Sequence, residues 1–158
     1  MSITDTIKGV GTALVTPMNE DGSIDFEGID KLIEYQLKGN VNFLVVQGTT
    51  GESVTLTHEE KQKVLDRVIA ANHKKVPVVF GIGGNNTKVV CETFQQFDLS
   101  GVDAILSASP SYNKPTQAGI VAHFKEVAKA SPKPVILYNV PGRTASNMSA
   151  ETTLTLAK

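Results

Sequence analysis

Hydrophobic and polar positions alternate along this chain in blocks, and the blocks repeat. Five times a short apolar run gives way to a polar tip, and an amphipathic stretch follows. The first apolar run is Val10-Gly11-Thr12-Ala13-Leu14-Val15-Thr16, ended by Pro17 and followed by the turn cluster Asn19-Glu20-Asp21-Gly22-Ser23. A helix is expected from near Asp25, with Ile29, Leu32, Ile33 and Leu37 on one face and Gly39 closing it in a left-handed position. The second run, Phe43-Leu44-Val45-Val46-Gln47, empties into Gly48-Thr49-Thr50-Gly51-Glu52-Ser53. Thr57 and Glu60 then have the spacing of a capping box, ahead of a stripe at Val64, Leu65, Val68 and Ile69.

The third run, Val76-Pro77-Val78-Val79-Phe80-Gly81-Ile82-Gly83, is continuously apolar, as a strand covered on both faces requires. Gly84-Asn85-Asn86 leads from it to a helix with Val89, Val90, Phe94 and Phe97 inward. The fourth is Ala104-Ile105-Leu106-Ser107-Ala108, with the loop Ser109-Pro110-Ser111-Tyr112-Asn113-Lys114-Pro115 and a helix marked by Ile120, Val121, Phe124, Val127 and Ala128. The fifth is Pro134-Val135-Ile136-Leu137-Tyr138, with the loop Asn139-Val140-Pro141-Gly142-Arg143-Thr144 and Ser149 as cap of a last helix. The later strands recur about every 30 residues, the length of a β/α unit. No linker tract or charge block interrupts them, so residues 1–158 read as one domain of the α/β class. An open parallel sheet and the N-terminal five units of a TIM (β/α)8 barrel both satisfy that pattern.

Composition narrows the partners. Lysine and arginine number 15, aspartate and glutamate 16, and this balance gives no support for nucleic acid or another polyanion. No apolar run approaches the roughly 20 residues of a membrane span. Met1-Ser2-Ile3-Thr4-Asp5 lacks the features of a signal peptide, and the expected location is the cytoplasm. Cys91, the single cysteine, falls in a helical pattern and is expected to be a buried structural thiol. Gly81-x-Gly83-Gly84 does not match the spacing of a dinucleotide fingerprint, and no phosphate-loop motif occurs. No cofactor is expected.

In a parallel β/α fold the loops after the strands share one end, which gathers Thr49, Thr50, Asn85, Ser109, Tyr112, Tyr138 and Arg143. Hydroxyls that can pass protons, glycine-loop amides that can bind a carboxylate and an arginine that can grip one suit a small carbonyl acid. The set is poor for a metal, since no histidine pair or dense carboxylate cluster accompanies it. Taken singly, each residue has a plainer reading. Thr49 and Thr50 can cap a loop, Tyr138 can be an inward core tyrosine, Tyr112 can fill a turn or interface, and Arg143 can be a surface arginine. His58, His73 and His123 occur singly and read as structural or exposed.

Taken together, the motifs resemble the dihydrodipicolinate synthase and N-acetylneuraminate lyase superfamily. Gly48-Thr49-Thr50-Gly51-Glu52-Ser53 resembles its pyruvate-carboxylate motif, and Tyr138-Asn139-Val140-Pro141-Gly142-Arg143-Thr144 its second signature. Val15-Thr16-Pro17 and Pro110-Ser111-Tyr112-Asn113-Lys114-Pro115 fit in the same order. Gly48-Thr49-Thr50-Gly51 and Arg143 favour the dihydrodipicolinate synthase branch over the sialic-acid lyases. The resemblance implies a TIM barrel of this kind and a lyase that condenses pyruvate with L-aspartate 4-semialdehyde through a lysine Schiff base, in lysine and diaminopimelate synthesis. It implies that Thr50, with the amides of Gly48 to Gly51, binds the pyruvate carboxylate. Tyr138 relays protons at the Schiff base, Thr49 links Tyr138 to Tyr112, and Arg143 engages the second carboxylate. Tyr112 comes from a neighbouring subunit, within a homodimer or homotetramer.

The family's lysine stands on the sixth strand, and neither Lys114 nor Lys158 matches it. The expectation is a barrel truncated before that strand and inactive alone. A related 2-keto acid aldolase or sialic-acid lyase, and a non-catalytic barrel fragment, are the alternatives. Ser53, His58 and Asn85 match parts of the family's inhibitory lysine site, but Ser111, Val89 and Lys61 depart from it. The departures imply weak inhibition by lysine.

Overall fold

The computed structural model describes residues 3–158; Met1 and Ser2, the start of the segment read as lacking signal features, lie outside them. In chain order the elements are α1 (Ile3–Thr6), β1 (Gly11–Ala13), α2 (Phe26–Lys38), β2 (Phe43–Val46), α3 (His58–Asn72), β3 (Val78–Gly81), α4 (Thr87–Thr93), β4 (Ala104–Ala108), α5 (Gln117–Ala130), β5 (Val135–Tyr138), α6 (Pro141–Thr144) and α7 (Ala150–Leu156). Two short 3₁₀ turns, Thr49–Gly51 and Ser53–Thr55, lie between β2 and α3. The five strands form a parallel sheet in the order β1-β2-β3-β4-β5. No helix among the described residues is long and apolar enough to cross a membrane. The chain divides into two compact units: the residues up to Gly81 with Ser100–Ala104, and Ile82–Leu99 with Ile105–Lys158.

In the first unit, Gly11, Thr12 and Ala13 pair with Phe43, Leu44 and Val45, and Leu44, Val45 and Val46 pair with Val78, Val79 and Phe80. Val78, Val79 and Phe80 are all buried, which explains why this strand is apolar without alternation. The helices α2 and α3 turn Ile29, Ile33, Val64, Leu65 and Val68 into the core. Each such side chain contributes about 1.5–3 kcal/mol when fully buried. The starts of both helices are set locally. The Asp25 carboxylate accepts the Gly28 N–H at 2.8 Å. Thr57 and Glu60 form the expected capping box, and the Thr57 N–H, then its hydroxyl, hold the Glu60 carboxyl below its usual range. An exposed ion pair joins Arg67 of α3 to Asp30 of α2 and adds little in water.

In the second unit, β4 and β5 pair from Ile105 with Val135 to Ala108 with Tyr138. Ile120 and Phe124 of α5 are buried with Met148, and Leu137 and Leu156 lie against them. Gln117 fastens the start of α5 to the start of α7. Its Oε1 accepts the Ser149 N–H at 3.0 Å and the Thr152 hydroxyl at 2.6 Å, and its Nε2 donates to the Asn147 carbonyl at 2.8 Å. Ser149 caps α7, as its position predicts. His123 is buried on α5; its Nδ1 lies 2.8 Å from the Thr87 hydroxyl at the start of α4, while its Nε2 has no partner among the described residues.

Several boundaries differ from the sequence reading. The strands are shorter than the apolar runs, because pairing ends where the backbone turns: Gln47, after β2, has φ 57°. Gly39 is not left-handed (φ −76°); Asn40, with φ 55°, makes that turn. Val89 does not face inward but is 52% exposed, because α4 is only Thr87–Thr93 and turns Val90 to the core. Phe94 is buried beyond the end of α4, and Phe97 is only half-buried. Val121 is half-buried and Ala128 exposed, leaving the α5 stripe to Ile120, His123, Phe124 and Val127. Cys91 is half-buried rather than buried, and burial, then Glu126 and Glu92, push its thiol pKa up. The Pro141–Thr144 segment, read as loop, is one helical turn opened by proline.

Burial lowers the pKa of His123, so the fold prefers a neutral ring. The unfolded chain then binds the extra proton first, and stability is lost as pH falls below the ordinary histidine value of about 6.5. Urea unfolding midpoints measured between pH 7 and pH 5 should fall more steeply for the wild type than for His123→Asn. Parallel profiles would count against this assignment.

Candidate functional site

The first unit presents a turn with backbone amides at its head. Strand β2 ends at Val46, and Gln47 and Gly48 lead directly into the 3₁₀ turn Thr49–Gly51. In that turn only the Gly51 N–H folds back onto the Gly48 carbonyl, at 3.0 Å. The N–H groups of Thr49 and Thr50 head the turn, where no intrahelical acceptor exists. Both threonines are exposed, with Gly51 buried beneath them. Amides so arranged, with a hydroxyl beside them, suit a small anion.

Two residues without an assigned role in the sequence reading hold this turn. The Thr16 hydroxyl, buried after β1, donates to the Gly51 carbonyl at 2.7 Å. Gln47, also buried, reaches the Thr16 oxygen with Nε2 at 3.5 Å, and its Oε1 has no partner among the described residues. A Cβ on Gly51 would stand 3.2 Å from the Leu14 carbonyl. At Gly81 it would fall inside the van der Waals envelope of the Gln47 carbonyl. The signal for Gln47 was in the sequence, as a polar residue ending an apolar strand.

The second unit places Tyr138, Tyr112 and Arg143 on neighbouring loops. Tyr138 is the last residue of β5 and is half-buried, neither a closed core tyrosine nor a surface one. Its carbonyl accepts the Ser109 N–H at 3.2 Å. Arg143 sits exposed on α6, whose buried Thr144 brings its hydroxyl within 2.8 Å of the Ser146 carbonyl. Asn139 knots the same loop: Nδ2 donates to Asn147 Oδ1 at 2.8 Å, and Oδ1 accepts the Met148 N–H at 3.0 Å. Tyr112 is 88% exposed, with φ 63°, and its N–H donates to the Thr144 carbonyl at 3.0 Å. Backbone bonds thus join the loop after β4 to the end of β5 and the loop that follows it. No hydrogen bond between the Tyr112 and Tyr138 hydroxyls occurs among the described residues. Ser107, which the sequence reading did not single out, and Ser109, which it gathered with the site, have buried hydroxyls with no partner among the described residues. They occupy alternate positions at the end of β4, a polar pair where the strand's apolar pattern breaks.

Comparison with known proteins defines the class. The model of the dihydrodipicolinate synthetase family matches residues 6–158, and the chain belongs to that family. It is 55% identical over 150 residues to the 4-hydroxy-tetrahydrodipicolinate synthase of Flavobacterium psychrophilum, a match covering 95% of this chain and 51% of the relative. The enzyme of the same name from Parabacteroides distasonis is 49% identical over 152 residues, covering 96% of this chain and 51% of that one. A crystal structure of the chloride-inhibited dihydrodipicolinate synthase of Acinetobacter baumannii, complexed with pyruvate, matches at 42% identity and a TM-score of 0.92, over 97% of this chain and 53% of that one. The chain spans about half the length of the curated relatives it matches.

Replacing Thr16 by valine would leave the buried Gly51 carbonyl without its donor and should cost about 1–3 kcal/mol. Thr16→Ser keeps the hydroxyl and should retain most of that stability. Urea unfolding of both variants checks this, and equal midpoints would show that the bond does not hold the turn.

Proposed function

We propose that this chain is part of a 4-hydroxy-tetrahydrodipicolinate synthase, which condenses pyruvate with L-aspartate 4-semialdehyde through a lysine Schiff base. The observation that carries the reading is the 3₁₀ turn Thr49–Gly51, whose leading amides are held in place by Thr16. It offers a carboxylate-binding turn in a chain of this family. The pyruvate named in the Acinetobacter baumannii structure supports the same substrate here.

In this reading the Thr50 hydroxyl and the adjoining amides take the pyruvate carboxylate. A lysine outside residues 1–158 supplies the amine, since neither Lys114 nor Lys158 stands at the end of a strand. The amine condenses with the keto group and water leaves; the resulting iminium then draws electrons from the methyl group. Loss of a methyl proton gives the enamine, whose carbon attacks the aldehyde of the second substrate. Tyr138, at the mouth of its strand, moves protons at these steps, and Thr49 connects it to Tyr112. Arg143 binds the carboxylate of the semialdehyde in two-pronged fashion and so orients it. The exposure of Tyr112 supports its insertion into a neighbouring copy, within a homodimer or homotetramer.

Borohydride reduction of the protein in the presence of pyruvate, followed by peptide mapping, tests the scheme. The expected adduct lies on a lysine outside these 158 residues, and an adduct on Lys114 or Lys158 would overturn the assignment. Turnover of sugar acids in place of aspartate semialdehyde would instead point to a lyase of the sialic-acid type. Tyr138→Phe should lower kcat by about 10²–10⁴-fold. Arg143→Ala should raise KM for the semialdehyde and leave KM for pyruvate unchanged.

A further inference from the structure

Tyr112 poses a physical problem. Its side chain is 88% exposed, so contacts within its own chain do not orient it. Its φ of 63° is one that a bulky residue adopts only when its surroundings impose it. A hydroxyl that relays protons must nevertheless arrive in one place, and displacement by about 1 Å can cost 10²-fold in rate. The direction of the Tyr112 side chain therefore has to be set by the backbone that carries it.

The structure shows how. Asn85, in the loop before α4, turns its Oδ1 to the residue preceding Tyr112. It accepts the Ser111 N–H at 2.8 Å and the Ser111 hydroxyl at 3.1 Å. The next N–H along, that of Tyr112, is taken by the Thr144 carbonyl at 3.0 Å. Two successive peptide planes are thus pinned on either side of Ser111. The Asn113 N–H closes onto the Ser111 carbonyl at 2.7 Å and holds the plane that follows Tyr112, so both planes flanking Tyr112 are held and its Cα–Cβ direction is set; Pro110 is buried upstream. Asn85 itself has a firm base. Its neighbour Asn86 caps α4 through the Val89 N–H, and Thr87 is tied to the buried His123.

We propose that Asn85 is a positioning residue that aims the relay tyrosine Tyr112 through its double acceptor bond to Ser111. This inference rests on the role given to Tyr112 under the proposed function. Asn85 touches no reacting atom in this scheme. It acts through Tyr112 alone, and that gives it a kinetic signature distinct from a general loss of structure.

The test is a double-mutant cycle in the assembled protein, with pyruvate and aspartate semialdehyde as substrates. Asn85→Ala should lower kcat by about 10- to 100-fold, leaving KM for pyruvate within about twofold. Asn85→Asp keeps an acceptor oxygen in the same place and should restore most of the rate. In a Tyr112→Phe background, Asn85→Ala should cost almost nothing further. Should Asn85→Ala fail to fold, Ser111→Ala, which removes one of the two bonds, should give a smaller loss that also vanishes in the Tyr112→Phe background. A loss that persists undiminished without the Tyr112 hydroxyl overturns the proposal, as does a wild-type rate in Asn85→Ala. Wild-type protein unable to condense the two substrates overturns the functional reading and this inference together. An active enzyme indifferent to Tyr112→Phe overturns the inference and leaves the activity standing.

Discussion

In the first unit Gly81, the last residue of β3, lies directly against the Gln47 carbonyl just beyond β2. No side chain fits between them. To leave the sheet after Val46, the chain must swing out of the ladder, and Gln47 does so with φ 57°. Its carbonyl then occupies the space that a side chain on β3 would need. With Gly81 there, the turn can follow at once, and Thr16 catches Gly51 at its far end. The amides of Thr49 and Thr50 are presented by this sequence of events, each step following from the lack of room at the previous one.

The second unit meets the same need by other means. Its loops after β4 and β5 contain little that is apolar beyond the buried Pro110 and Met148. Side-chain amides and hydroxyls hold the rest. Asn139 closes the loop that carries Arg143, Thr144 pins its middle, and Asn85 holds the loop that carries Tyr112. Each of these bonds contributes modestly to stability, of order 1 kcal/mol, but fixes orientation where packing does not. A shape built from glycine and threonine in one unit is built from asparagine and threonine in the other. Thr16 holds its turn from a buried position, whereas Asn85 and Asn139 hold their loops from exposed ones.

Much of this was legible in the amino-acid sequence because it is decided locally. The helix start near Asp25, the stripe Val64, Leu65 and Val68, and caps such as Thr57 and Ser149 depend on neighbours within a few residues, and they stand where the pattern put them. The motifs around Thr50 and Tyr138 were equally visible, since their glycines, proline and hydroxyls follow one another in the chain. Left to the tertiary structure were the features that join distant segments. The left-handed turn fell to Asn40 rather than Gly39, Val89 turned outward on a helix too short to bury it, and Cys91 stayed half-buried. Thr16 meets Gly51 across 35 positions, and Asn85 meets Ser111 across 26. No periodicity announces such pairs. The sequence by itself determined where the strands and the longer helices form and which polar residues follow the strands, because propensity and burial act residue by residue. The tertiary structure alone decided what holds those side chains in place, because a hydrogen bond between distant loops exists only once the strands beneath them have paired.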